Sequence, residues 1–192
     1  MRERFRCGER EAAQDALRAL LDAPEWPALD TGLQGRMLRT AALYQLAIHE
    51  DIDGARELAR RAERCDPNGD GQVLAAHIAL RSRDSDVALT VLQPPRSLEA
   101  RHLKAAILIE ARHADDALKA LDLLLGKVDN DVKPSAETWR LRALAFLALG
   151  RLIDAAEAIE QAKSLAPDWL AVRSATAVVA FWHACTPAAL KL

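Results

Sequence analysis

Apolar side chains recur every three or four residues along nearly the whole chain. The interruptions are short and rich in turn formers: Asp66-Pro67-Asn68-Gly69, Gln93-Pro94-Pro95, Val128 to Pro134, and Ala166-Pro167-Asp168. That period belongs to helices that bury one stripe, so the pattern predicts helix, turn, helix throughout. The expected helices are 9–22, 33–49, 53–65, 71–83, 85–93, 97–112, 114–126, 135–149, 152–165 and 168–185, with ends good to a few residues. Only 23–32, with Pro24 and Pro27, reads as a longer loop.

The helices fall into pairs, and the second of each pair opens on an acidic residue followed by a small one. These are Asp53-Gly54-Ala55, Asp86-Val87-Ala88, Asp115-Asp116-Ala117 and Asp154-Ala155, with alanines spaced by 33, 29 and 38 residues. Small residues let two backbones cross closely while large neighbours fill the gaps beside them. The segment 136–168 carries the pattern most fully. Trp139 is its first large residue, Ala143 its first small one and Phe146 an aromatic; Gly150 lies in the turn, Ala155 and Ala162 in the second helix, and Pro167 closes it. With these residues the segment resembles a tetratricopeptide repeat over its full length. Arg142 departs from the family, which usually has an apolar residue there. The earlier units match more weakly, because one helix is cut short at Pro94-Pro95 and residues are inserted around Val128-Asp129-Asn130-Asp131.

The resemblance implies an all-α fold, a right-handed α-α superhelix of antiparallel helix hairpins. Four hairpins are expected at 33–67, 70–95, 97–127 and 136–167, after an N-terminal helix and loop (1–32) and before a final stretch (168–192). One pair buries too little alone, so at least about three must stack. The final helix is apolar on several faces, at Ala175, Val178, Val179, Phe181 and Trp182, whereas a terminal cap should turn a polar face outward. The expectation is that the array continues in a longer protein, of which 168–192 starts a further repeat. The rival is self-association through this helix.

Such a superhelix presents a concave groove lined by the first helix of each pair. Carried over position by position, the family's groove residues are Thr40, Tyr44 and Ile48, then Val73, His77 and Arg81. The later hairpins contribute His102, Ala106 and Ile109, then Arg140, Leu144 and Leu147. The implied partner is an extended or helical segment of another protein, held by apolar contacts with Arg81, Arg140 or a histidine. The subclass that clamps a peptide carboxylate is not matched: its asparagine is missing, and all six lysines lie beyond residue 103. Another possibility is that an additional helix fills the groove.

Composition narrows the function classes. Ala (39) and Leu (30) exceed a third of the 192 residues while aromatics are 4%, which excludes an all-β fold, and 51% apolar content excludes disorder. A net charge of −2 gives no general drive toward nucleic acid or anionic membranes. The recurring Arg56, Arg60 and Arg64, with Arg61, are the one phosphate-binding candidate, and Glu57 and Glu63 on the same helix favour a salt-bridged solvated face. Cys7, Cys65 and Cys185 form no C-x-x-C pair, so neither a disulfide framework nor a zinc site is expected. The arginine-rich start lacks a secretory core, and the charge-poor stretch from Ser174 to Leu190 contains His183 and Pro187; a cytoplasmic protein without a membrane span is expected.

Candidate chemistry is sparse. Asp66 to Gly71 opens like a calcium loop, but His77 stands at position twelve, where a bidentate carboxylate is needed. His49, His77, His102, His113 and His183 form no metal-ligand spacing, and no nucleophile elbow or phosphate loop occurs. The chain is therefore expected to be a protein-interaction scaffold, not an enzyme, without metal or cofactor. The alternative is an N-terminal sensor or regulatory module of a larger signalling or defence enzyme.

Overall fold

Short polar residues set where helices begin. A computed structural model describes residues 10–49, 51–67, 71–125 and 134–189. In it the side chains of Asp30, Asp51, Asp84, Ser97 and Ser135 each accept from the backbone N–H three residues on, at 2.8–3.3 Å. Each satisfies a donor the helix cannot, a contribution of about 1 kcal/mol. The helices are α1 (Arg10–Leu21), α2 (Thr31–Tyr44), α3 (Ile52–Cys65), α4 (Gln72–Arg81), α5 (Ser85–Val91), α6 (Leu98–Glu110), α7 (Ala114–Leu125), α8 (Ala136–Ala148), α9 (Leu152–Leu165) and α10 (Leu170–Ala189). The described residues contain no strand, so the all-helical expectation holds.

The chain divides into two compact units, Met1–Pro94 and Pro95–Leu192. In the first, α2 pairs with α3 and α4 with α5; in the second, α6 pairs with α7 and α8 with α9, and α10 lies on both α8 and α9. Leu38, Ala42, Leu46, Ala55, Leu58 and Ala62 build the core between α2 and α3. Leu121, Leu141, Phe146, Ile159 and Val172 do the same in the second unit. The expected loop 23–32 is shorter than its prolines suggest. It holds a 3-10 turn at Trp26–Ala28, and the Gln34 amide in α2 ties it down by donating to the carbonyls of Trp26 (2.8 Å) and Leu29 (3.0 Å).

The repeat seen in the alanine spacing has a geometric counterpart. Ala55, Ala88, Ala117 and Ala155 are all fully buried, as are Ala76, Ala105 and Ala143, each twelve residues before its partner. Between them the chain turns the same way three times. Arg83, Arg112 and Gly150 take positive φ (59°, 64° and 73°), and the next N–H returns to the carbonyl five residues back: Asp84 to Ala79, His113 to Leu108, Arg151 to Phe146, at 2.8–3.0 Å. In the first hairpin the buried Ala42 lies thirteen residues before Ala55, and one π turn, Gln45–His49, absorbs the extra residue. Two second helices also end alike: Asp66 and Ala166, each before a proline, adopt φ −139° and −150°.

Candidate functional site

The first helices of the second unit, α6 and α8, pack directly against each other, and the expected groove residues of that unit all lie on them. Ala106, Ile109, Leu144 and Leu147 are half-buried, their inner sides against the core and the rest open. The polar end of this surface is more organised than the sequence suggests. His102 Nε2 is 2.8 Å from Thr138 Oγ1, which is 3.1 Å from the Ser135 hydroxyl that caps α8. Thr138 is 1% exposed, so this network is what satisfies its hydroxyl. Burial lowers the His102 pKa from its ordinary value; Glu137 opposes that shift, Arg140 adds to it and Glu99 opposes it.

Arg140, expected to reach a partner, is held by Glu137 through two bonds of 2.6 and 2.7 Å, with the two side chains 19% and 26% exposed. A bidentate pair this sheltered presents a dipole rather than a bare cation, and an incoming carboxylate would have to compete with Glu137. Glu137, Ser135 and Thr138 were not among the expected site residues. Their signal was available, since Ser135 precedes Thr138 by the capping interval and Glu137 precedes Arg140 by one turn.

The first unit distributes its expected groove residues differently. Tyr44 is 6% exposed and Val73 8%, so both go into core packing rather than onto an open surface. Thr40 is exposed and returns its hydroxyl to the Arg36 carbonyl of its own helix at 3.0 Å. His77 is half-buried, Arg81 is exposed, and the side chain of Ile48 lies outside the described residues. The arginine series on α3 is engaged with its neighbours: Arg56 with Asp53 and the Ser82 hydroxyl, Arg60 and Arg64 both with Glu57. Residues 68–70 of the Asp66 to Gly71 loop lie outside the described residues. Among those described, no group of three or more His, Cys, Asp or Glu side chains is placed to hold a metal ion, and no helix is long and apolar enough to cross a membrane.

Arg142, the departure from the repeat pattern, proves to be well housed. Its guanidinium lies 5.5 Å from the centre of the Trp139 ring and 5.4 Å from that of Phe146, and it pairs with Asp122 of α7. A flat cation over two rings occupies the place of an apolar side chain. Trp139, Arg142 and Phe146 with Arg151, Asp154 and Glu157 border an open trough of about 780 Å³ between α8 and α9. Comparison of the chain with protein-family models, curated proteins and solved structures finds no match in any of the three.

Proposed function

We propose that the chain is a protein-interaction module of the tetratricopeptide type, a right-handed superhelix of hairpins that binds a segment of another protein on its first-helix face. Support for the repeat reading comes from the recurring turn at Arg83, Arg112 and Gly150 and from the buried alanine pairs around it. The observation that carries the binding reading is the α6 and α8 surface, where half-open Ala106, Ile109, Leu144 and Leu147 adjoin the polar cluster of His102, Glu137 and Arg140. A few apolar contacts with a polar group fixing direction is how helical grooves hold peptides. Because Arg140 is already neutralised, apolar area supplies most of the affinity, and binding is only weakly salt-dependent.

Selection from a peptide-display library tests this. Peptides enriched on the wild-type chain are expected to be apolar, to lose binding at Leu144→Glu, and to keep it at Val87→Glu, an exposed control in the other unit. Circular dichroism must show both variants folded. No enrichment, or equal loss with both variants, overturns the assignment.

A further inference from the structure

The buried pattern of α8 recurs in α10. Thr138, Leu141 and Ala145 are buried, and so are Val172, Ala175 and Val179, each 34 positions later. The same register reaches back to α6, where the buried Ala100, Ala105 and Ile107 stand 38 positions before Thr138, Ala143 and Ala145. Packing agrees: α8 lies on α6 and α7, and α10 lies on α8 and α9. Within the second unit α10 therefore takes the place of a first helix, seated on the preceding pair as α8 is on its own, with the same side turned inward.

The outer positions follow the register. His102, Ala106 and Ile109 correspond to Arg140, Leu144 and Leu147, and these to Ser174, Val178 and Phe181. Each row starts polar and continues apolar. Val178 is 43% exposed and Phe181 63%, so the uncovered apolar side of α10 is the third row of the surface on α6 and α8. Arg173, also exposed on α10, corresponds to Trp139 and stands outside that row.

Building on the binding surface proposed for α6 and α8, and dependent on it, we infer that one apolar segment of the partner crosses α6, α8 and α10, with Val178 and Phe181 holding its most apolar end. Continuity favours this occupant, because rows on helices packed side by side form a single stripe that one chain can follow. Polarity sets its direction. His102 and the Glu137–Arg140 pair lie at the α6–α8 end, whereas Ser174 to Leu190 has no charged residue. The segment therefore carries a hydrogen-bonding residue at one end and a large aliphatic or aromatic residue at the other. Packed helices lie roughly 10 Å apart, so three rows span roughly 20 Å, about six residues of extended chain.

Peptides enriched on the wild-type chain test this through their affinities for surface variants, measured by calorimetry. Phe181→Glu and Val178→Glu should each weaken binding about tenfold or more, with helicity unchanged by circular dichroism. Arg173→Glu, on the same helix but off the row, should change it less than about twofold. Loss at Leu144→Glu with none at Phe181→Glu or Val178→Glu overturns the crossing and leaves the two-helix surface standing. No enrichment on the wild-type chain overturns both. Sedimentation over roughly 1 to 100 μM, with reductant present, checks the rival occupant. A chain that dimerises, and ceases to do so at Phe181→Glu, gives this face to a second copy and overturns the crossing.

Discussion

The α2–α3 hairpin and the α8–α9 hairpin bring two helices together by opposite means. In the first, volume is removed. A Cβ on Gly35 would stand 2.5 Å from Asp66 Cβ and 3.4 Å from the Ala62 carbonyl oxygen, so the crossing requires a residue with no side chain. Arg39 then clamps the far end by pairing with Asp66 at 2.7 Å, with the two side chains 14% and 21% exposed. In the second hairpin, volume is added: Trp139 and Phe146 fill the crossing, Arg142 lies over both rings, and Arg151 covers Phe146 at 4.5 Å. This filling carries a penalty, because Arg142 Nε is buried without a hydrogen-bond partner, a loss of about 1–3 kcal/mol. Stacking on the rings recovers about 0.5–2 kcal/mol. The difference teaches that the repeat constrains a backbone path and the buried alanines, while the means of closing each crossing is free to vary.

Removing the filled crossing should have the largest effect. Phe146→Ala deletes a 7% exposed ring beneath two guanidinium groups and should cost about 3–4 kcal/mol in urea unfolding. A loss under about 1 kcal/mol would mean that the arginines hold the hairpin without the ring. Next comes the emptied crossing. Gly35→Ala improves helix propensity by up to about 1 kcal/mol, yet the methyl group meets backbone-anchored atoms, and a net loss of about 1–2 kcal/mol is expected. A neutral result would show that α2 and α3 can slide apart, and the two hairpins would then be less different than they look.

The turns give a finer contrast. Gly150 adopts its positive φ without strain, whereas Arg83 and Arg112 hold the same conformation with side chains attached. Arg83→Gly and Arg112→Gly should each stabilise by about 0.5 kcal/mol, and Gly150→Ala should destabilise by about 1 kcal/mol. Thermal melts of the three variants check the signs.

These turns also mark how far the sequence could be read. The alanine spacing and the acidic first turns pointed to the helix pairs because small buried residues at a crossing and carboxylates near a helix N-terminus are local requirements. Gly150 announced its turn, while Arg83 and Arg112 adopt the same φ without glycine and so left no signal. The π turn at Gln45–His49 was hidden for a related reason. One extra residue shifts Ala42 out of register by a single position, less than the uncertainty of any helix end, and Tyr44, carried over by position, then rotates into the core. On α6 and α8 the half-buried apolar positions Ala106, Ile109, Leu144 and Leu147 were legible as residue types. Of the polar partners, Ser135 and Glu137 carried a local signal in their spacing to Thr138 and Arg140, whereas the contact between His102 and Thr138 joins residues 36 apart and left none.

That contact supports the smallest predicted effect. Neutral His102 shares a hydrogen bond with the buried Thr138 hydroxyl, and burial keeps its pKa below 6.5. In the unfolded chain the imidazole takes up its proton near that ordinary value. Between the two values the unfolded state therefore binds more protons, and stability rises with pH. The contribution is complete above about pH 6.5 and is lost as the pH falls toward the folded-state pKa. Urea midpoints at pH 7.5 and 5.5 should separate by more in the wild type than in His102→Gln, which keeps a hydrogen-bonding side chain that does not titrate. Hydrogen exchange at the lower pH should localise the weakening to α6 and α8. Equal separations in the two proteins would mean that the His102 contact adds no pH-dependent stability and that apolar packing alone joins α6 to α8, unlike the α2–α3 crossing with its Arg39–Asp66 pair.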